Sequence, residues 1–137
     1  MPSKKICFNI NSYYQASEIV SFCSKNKIVP ILFVKYFIIN GFGPDWIKEL
    51  KRLLTNQFST KKFKLYADSK KNYSLYINLV EQKIDFIKVD SDPETFIKLK
   101  QIAKKNKVLL NPEFSIIDLA KIKNIQIKIK KYLRYIK

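Results

Sequence analysis

The sequence predicts an α/β fold, a single domain of four to five mostly parallel strands. Short apolar runs alternate with segments in which apolar residues recur every three or four positions, the patterns of buried strands and amphipathic helices. Three runs begin near positions 63, 84 and 108, at spacings of 21 and 24 residues that suit one βα unit. Repeated βα units pair their strands in parallel through right-handed crossovers. A three-layer open sheet and half of a (βα)8 barrel both satisfy these constraints.

The first half of the chain contains two strand–helix units. Residues 6–10 predict a short strand, and Asn11 or Ser12 is suited to cap the following helix. Residues 28–42 form the most apolar stretch and predict a buried strand with its exit loop. Pro44 then fits the first turn of a second helix, whose apolar face carries Trp46, Ile47, Leu50, Leu53 and Leu54.

The second half repeats the pattern with clearer boundaries. Strands are predicted at residues 63–67, 84–89 and 108–110, and helices through residues 75–80 and 96–103. Asp92 followed by Pro93 is typical of a helix start, with an acidic cap and proline at the first helical position. Residues 1–137 are therefore expected to form one domain.

Residues 121–137 are predicted to be a basic amphipathic helix within that domain. The segment holds seven basic residues, and no acidic residue follows Asp118. Alternating Ile125, Ile127 and Ile129 also fit a strand, but the length of the pattern favours a helix. The simplest interpretation is a helix docked on the sheet with its lysines in water. The alternative is a nucleic-acid-binding helix that uses Lys121, Lys123, Lys128, Lys130, Lys131 and Arg134.

The net charge of +16 is weak evidence for a nucleic-acid partner. Of 27 basic residues, only Arg52 and Arg134 are arginines, although arginine is the side chain that best matches phosphate geometry. Isoleucine occurs 20 times and asparagine 10 times, against four alanines and two glycines. A strongly A/T-biased genome produces the same composition, so a solvated lysine surface is the favoured interpretation.

The composition excludes most familiar catalytic chemistries. The chain has no histidine, two cysteines and two glycines, and it contains no P-loop or nucleophile elbow. Gly41-Phe42-Gly43 begins a dinucleotide-binding pattern, but Trp46 occupies the third glycine position. We expect no catalytic residue, no cofactor and no metal site. Nothing resembles a secretory signal or a transmembrane segment, and two buried thiols suit a soluble cytoplasmic protein.

Polar residues follow several of the predicted strands and outline one candidate site. The carboxyl ends of parallel strands share one edge of the sheet, where ligands of α/β folds bind close to helix N-termini. The candidates for a small anionic ligand at this edge are Asn40, Gly41, Gly43, Asp68, Ser69, Asp90 and Ser91. Helix capping is the simpler explanation for Asp68, Ser69, Ser91 and Asp92. A second, basic-plus-aromatic set would suit single-stranded nucleic acid: Lys61, Lys62, Lys64, Lys70, Lys71, Tyr66 and Tyr73.

One pattern resembles a set of small uncharacterised alphaproteobacterial proteins. The matching pieces are Gly43-Pro44-Asp45-Trp46, Asp68 after residues 63–67, the helix 75–80 and the strand 84–89. The resemblance covers residues 16–120 and implies a single domain like a fragment of a (βα) barrel, with no assigned reaction. Lys70, Ser74 and Lys83 stand where the relatives have glycines, which implies an altered ligand site if those glycines hold a ligand.

The sequence thus leads to three functional hypotheses. The first is a domain that binds a small anionic ligand at its strand ends without catalysis. The second is a nucleic-acid-associated protein that uses the terminal helix, and the third is an enzyme that depends on the strand-end carboxylates. A half-barrel would also leave an apolar strand edge uncovered, so pairing with a second copy of the chain is expected.

Overall fold

The computed structural model describes residues 5–118 and shows an α/β domain. This range holds six strands, five helices and one 3₁₀ turn at Thr60–Lys62. In chain order the elements are β1 (Lys5–Asn9), α1 (Tyr13–Lys25), β2 (Val29–Val34), α2 (Tyr36–Phe42), α3 (Pro44–Phe58), β3 (Lys64–Lys70), α4 (Tyr73–Glu81), β4 (Phe86–Val89), α5 (Pro93–Lys105), β5 (Leu109–Leu110) and β6 (Ile116–Asp118).

The strands form one sheet in the order β5-β4-β3-β2-β1-β6, and every pair is parallel. The predicted fold class is confirmed, with six strands instead of four or five. The strand that the sequence pattern missed is β6, which has three residues. A run this short shows no periodicity that distinguishes it from a loop.

The five helices lie on one face of the sheet. Strands β1 to β5 are neighbours in chain order, and right-handed crossovers between such neighbours place every helix on the same side. The main core shows this directly, because it joins the strand residues that point to one face of the sheet to residues of all five helices. Its helix members include Ile19, Ile39, Leu50, Leu79 and Leu99, and its strand members include Phe8, Leu32, Leu65 and Ile87. The strand order is sequential from β5 to β1, and β6 adds to the free side of β1.

The opposite face of the sheet, here called the second face, carries an aromatic cluster. Alternate strand residues point to this face, and its buried members are Cys7, Ile31, Phe33, Tyr66 and Phe86, with Phe114 packed against them. The Phe33 and Tyr66 ring centroids are 4.7 Å apart, and those of Phe86 and Phe114 are 5.1 Å apart. The sheet is therefore buried on both faces, as its nearly continuous apolar runs require.

The predicted strand with its exit loop at residues 28–42 is wrong in its second half. The strand ends at Val34, and residues Tyr36–Phe42 form helix α2, which buries Ile38 and Ile39. Periodicity alone does not separate a buried strand from a short buried helix when apolar residues are continuous. Ser12, one of the two predicted caps, does cap α1 by accepting a hydrogen bond from the backbone N–H of Gln15 at 3.2 Å.

The predicted terminal helix at residues 121–137 lies outside the described residues. So do all six of its candidate nucleic-acid-binding residues, which are Lys121, Lys123, Lys128, Lys130, Lys131 and Arg134. Among residues 5–118, no helix has the length and apolar character to cross a membrane.

Candidate functional site

The carboxyl ends of β3, β4 and β5 are tied together by backbone and amide hydrogen bonds. The backbone N–H of Asp90 donates to the Lys70 carbonyl at 3.0 Å. The Asn111 side chain accepts from the Val89 N–H at 2.8 Å and donates to the Val89 carbonyl at 3.1 Å. These bonds fix the three loops relative to one another, so any ligand at this edge meets a preformed surface.

Two adjoining cavities lie at this edge and together form what we call the strand-end groove. The larger has a volume of about 630 Å³ and the smaller about 530 Å³. Lys71 and Asp90 line both cavities and so mark the boundary between them. The larger cavity also contacts Tyr73, Ser91, Asp92 and Phe96, and the smaller one Tyr36, Lys70 and Asn72. Both volumes fall in the range of about 300–1,000 Å³ that is typical of small-molecule sites.

The basic side of the groove is built by an irregularity at the end of β3. The register of β3 against β4 shifts between Asp68 and Lys70, and Lys70 has a φ of +46°. The Lys70 N–H donates to Oδ1 of Asp68 at 2.9 Å, which holds this bend. The Lys70 ammonium then lies 5.5 Å from the centroid of the Tyr36 ring, so the bend places a cation at the groove.

The two helices that start at the groove differ in the charge of their caps. Asn72 caps α4 by accepting from the Leu75 N–H at 3.0 Å, and Asp92 caps α5 by accepting from the Thr95 N–H at 3.0 Å. Hydrogen bonds from the Thr95 side chain and backbone lower the pKa of Asp92, so its carboxylate is charged at neutral pH. The cap of α5 therefore neutralises its positive helix end, whereas the neutral cap of α4 leaves the positive end of that helix available.

Two of the predicted site residues, Asp90 and Ser91, line the groove as expected. Asp68 and Ser69 line neither cavity. Asp68 is 9% exposed and Ser69 is fully buried, with its hydroxyl donating to the Lys88 carbonyl at 2.9 Å. Because Asp68 does not line the groove, the groove does not present these two carboxylates as a pair for acid–base chemistry.

The capping interpretation is correct for one of the four residues to which it was applied. Asp92 is the N-cap of α5. Asp68 and Ser69 are wrong as helix caps, because Asn72 caps the next helix. The Ser91 hydroxyl donates to the Asp92 carbonyl at 3.2 Å and makes no capping bond.

The predicted residues from the first half of the chain line neither cavity of the groove, although the depression beside them shares Asn72 with the smaller cavity. Asn40 and Gly41 belong to α2 and are exposed, and Gly43 joins α2 to α3 with a φ of +91°. Asn40 and Gly43 line a separate depression of about 320 Å³ beside Asn72. The sequence interpretation placed these residues after a strand, and the insertion of α2 moves them away from the strand end.

The predicted basic-plus-aromatic set is not one surface. Lys61 and Lys62 precede β3, whereas Lys70 ends it and Lys71 follows. Seven extended residues separate the two pairs by roughly 20 Å. Tyr66, which was expected among the lysines, is 4% exposed on the second face. Only the later part of the set, Lys70, Lys71 and Tyr73, lines the groove.

Tyr36 and Phe96 are groove residues that the sequence analysis did not assign to the site. Tyr36 was hidden inside the apolar run of residues 28–42, and Phe96 was assigned to a helix stripe. Phe96 lies one turn after the start of α5, where it both packs on the core and lines the larger cavity. An aromatic residue within a turn of a predicted cap is the signal that would have found it.

The second face also carries polar groups near the same edge. Burial raises the pKa of Tyr66 to about 12, with further contributions from nearby Cys7 and Asp68. Asn9 is 1% exposed. In residues 5–118, no group of three or more His, Cys, Asp or Glu side chains has the arrangement of a metal site.

No known protein-family model matches the chain, and no curated protein matches it significantly. The resemblance to alphaproteobacterial proteins therefore stays a prediction.

Proposed function

We propose that the protein binds a small anionic ligand in the strand-end groove and does so without catalysis. The observation that carries the proposal is the placement of Lys70 and Lys71 at two adjoining cavities on the carboxyl edge of a parallel sheet. This edge is where ligands of parallel α/β folds bind.

The absence of direct ion pairs to the groove lysines supports an anionic ligand. Within residues 5–118, neither groove lysine forms an ion pair with Asp90 or Asp92. Both lysines are exposed, so their positive charge remains available to a ligand. The positive end of α4 lies beside them, because its cap Asn72 is neutral. An anion is therefore best stabilised at the smaller cavity and its boundary with the larger one.

The groove chemistry supports binding more than catalysis. General acid–base catalysis needs a group with a pKa near the working pH and a partner that positions it. The chain has no histidine, and no two titratable side chains of the groove are hydrogen-bonded to each other within the described range. The groove offers charge and shape, which are sufficient for a binding role.

Titration with inorganic phosphate tests the proposal. The dissociation constant is measured by calorimetry for the natural protein and for Lys71→Gln and Lys70→Gln. We expect each substitution to weaken binding about tenfold, since a hydrogen bond to a charged group contributes roughly 1.5–3 kcal/mol. Lys104→Gln is the matched control, because Lys104 lies in the last turn of α5, far along the helix from its groove end. Equal phosphate affinity in all four proteins would refute the groove as the anion site.

We also propose that the protein pairs with a second copy of itself through an edge of the sheet. Leu109 on edge strand β5 is 64% exposed, and Ile116 on edge strand β6 is 42% exposed. Unpaired strand edges with apolar side chains favour association. Light scattering should then give a dimer mass for the natural chain and a monomer mass for Leu109→Lys, while a monomer in both cases contradicts the proposal.

A cytoplasmic location is proposed from the state of the cysteines. Cys7 and Cys23 are both free and buried. Free thiols persist in reducing compartments, and disulfides are typical of oxidising ones. Cell fractionation with an antibody against the chain tests this location.

A further inference from the structure

We infer that the ligand of the strand-end groove is a phosphate ester whose other end carries a flat ring with hydroxyl or amino groups, the chemistry of a nucleoside monophosphate. This inference rests on the proposed function and specifies the substrate class of the same site. It is carried by the different chemistry of the two adjoining cavities.

The smaller cavity presents positively charged side chains to one end of the ligand. It is lined by Lys70, Lys71 and Asn72, with the ring of Tyr36 under the Lys70 ammonium at 5.5 Å. Among the residues that the structure describes, Asp90 at the boundary is the only acidic side chain lining this cavity. A phosphate group fits there because it can accept hydrogen bonds from two ammonium groups at once.

The larger cavity is an acceptor site. Beyond Lys71 it presents the carboxylate of Asp90, the carboxylate of Asp92 and the hydroxyl of Ser91. Carboxylates accept hydrogen bonds and repel anions, so a second anionic group is disfavoured here. Ligand hydroxyl or amino groups complement these acceptors. The ligand is therefore asymmetric, with its negative charge at one end and hydrogen-bond donors at the other.

Two aromatic side chains of the larger cavity favour a flat ring at the donor end. Tyr73 is the first residue of α4 and is 38% exposed, and Phe96 is half-buried on the first turns of α5. Both line the cavity. Exposed aromatic faces bind planar heterocycles by stacking, whereas an acyclic or saturated ligand makes no such contact. The volumes of about 630 and 530 Å³ leave room for both ends of a mononucleotide.

Calorimetric titration at one fixed salt concentration tests the inference with four probes: inorganic phosphate, ribose 5-phosphate, adenosine and adenosine monophosphate. We expect the nucleotide to bind at least fivefold more tightly than ribose 5-phosphate, because stacking a base on an aromatic side chain has about that effect or more. Ribose 5-phosphate should in turn bind more tightly than inorganic phosphate, through its hydroxyl groups. Equal affinities for the nucleotide and for ribose 5-phosphate overturn the ring, with the anion site intact. If no probe carrying phosphate binds, the proposed function itself fails.

Two substitutions separate the two ends of the ligand. Phe96→Leu should weaken nucleotide binding several-fold and leave inorganic phosphate affinity within twofold, because Phe96 lines the larger cavity alone. Asp90→Asn removes a carboxylate that lines both cavities, so it should strengthen the binding of inorganic phosphate and lower the preference for the nucleotide over phosphate several-fold. Tyr14→Leu is the aromatic control, since Tyr14 is 69% exposed on α1 and lines neither cavity. Asp90→Asn keeps the result interpretable if Phe96→Leu lowers stability, because the Asp90 side chain makes no hydrogen bond or ion pair among residues 5–118. An unchanged ratio of nucleotide affinity to inorganic phosphate affinity in Asp90→Asn overturns the acceptor role.

Discussion

Asn9 and Asp118 join the first and last described strands, 109 residues apart in the chain. Nδ2 of Asn9 donates to Oδ1 of Asp118 at 3.2 Å, and the two residues are register partners in the β1–β6 pair. The amide nitrogen faces the carboxylate, so the amide oxygen points elsewhere. Among residues 5–118 this oxygen has no hydrogen-bond partner, in a side chain that is 1% exposed. A buried acceptor without a partner costs free energy. Asn9 is thus a position where polarity and burial conflict.

Substitutions of Asn9 should have opposite effects on stability. Asn9→Leu removes the unsatisfied oxygen, and water replaces the lost donor at the exposed Asp118. We expect the free energy of unfolding to stay within about 1 kcal/mol of the natural protein. Asn9→Asp buries a carboxyl group beside that of Asp118, and should lower the free energy of unfolding at pH 7 by about 3 kcal/mol or more. Urea unfolding followed by circular dichroism measures both.

The pH dependence of Asn9→Asp provides an internal check. Burial and the neighbouring carboxylate raise the pKa of the new carboxyl group above its unfolded value of about 3.9. The loss of stability should therefore develop as pH rises above about 4 and shrink on acidification towards it. Asn56→Asp, at an exposed position on α3, should change stability by under about 1 kcal/mol. A deficit in Asn9→Asp that does not vary between pH 4 and 7 contradicts the buried-charge explanation.

Replacing each of the two glycines by alanine should have opposite effects on the free energy of unfolding. Gly43 has a φ of +91° and ψ of 162°, a region that is almost restricted to glycine, so Gly43→Ala should lower the free energy of unfolding by about 1–3 kcal/mol. Gly41 lies inside α2, and a Cβ there would meet no atom within 4 Å. Gly41→Ala should therefore raise stability by about 0.5–1 kcal/mol. Thermal unfolding of the two variants side by side measures the contrast.

Ser59 offers the reverse experiment. It ends α3 with a φ of +88° and ψ of 157°, nearly the conformation of Gly43, but carries a side chain. Ser59→Gly should relieve this strain and raise the melting temperature. The same change at the helical residue Ser17 should lower the melting temperature, because glycine inside a helix costs roughly 0.5–1 kcal/mol of stability relative to alanine. A lower melting temperature in Ser59→Gly would show that the backbone there is not strained.

The parallel pairing of the strands could be predicted from the sequence, because it depends on features that repeat. The βα spacing and the apolar helix faces predicted parallel strands, and the alternation within β3 separates Leu65 and Ala67 from Tyr66 in the structure. The groove could be predicted only in part. Asp90 and Ser91 follow a well-defined strand and line the larger cavity, whereas Asn40 belongs to α2, whose apolar residues look like a continuing strand. Sequence periodicity does not reveal such a helix, nor the bend at Lys70 that turns its side chain towards Tyr36.

Removing the two helix caps at the groove should distinguish the stability contributed by a charged cap from that contributed by a neutral one. Asp92→Ala should lower the melting temperature at pH 7. Asp92→Asn should keep the melting temperature close to that of the natural protein, because asparagine is also a good cap. Hydrogen bonds from Thr95 lower the pKa of Asp92 below 3.8, so its contribution is present above that pH and is lost as pH falls through the lowered value. Thermal unfolding at pH 7 and at pH 2–3 compares the two conditions.

Asn72→Ala is the neutral control for this prediction. It removes the cap of α4 and should cost about 1 kcal/mol, with no change between the two pH values because the asparagine side chain does not titrate. An Asp92→Ala protein whose melting temperature equals that of the natural chain at pH 7 would show that this cap contributes nothing, and would reopen a different role for the carboxylate.

The buried thiols should make the protein sensitive to alkali. Burial raises the pKa of Cys7 and of Cys23 from 9.0 to about 12. Above pH 9 the unfolded chain therefore loses thiol protons that the folded chain retains, so the free energy of unfolding should fall between pH 9 and pH 12. Each thiol contributes up to about 1.4 kcal/mol per pH unit.

The Cys7→Ala variant tests this prediction. It lowers stability at pH 7 by leaving a small cavity, but it should also make the fall in stability above pH 9 less steep, by the contribution of one thiol proton. Urea titrations at pH 7, 9, 10 and 11 measure that slope, and a thiol reagent at pH 8 should react slowly with both cysteines until denaturant is added. An unchanged slope in Cys7→Ala, or fast reaction of the native thiols, would mean that Cys7 ionises in the folded protein as easily as in water.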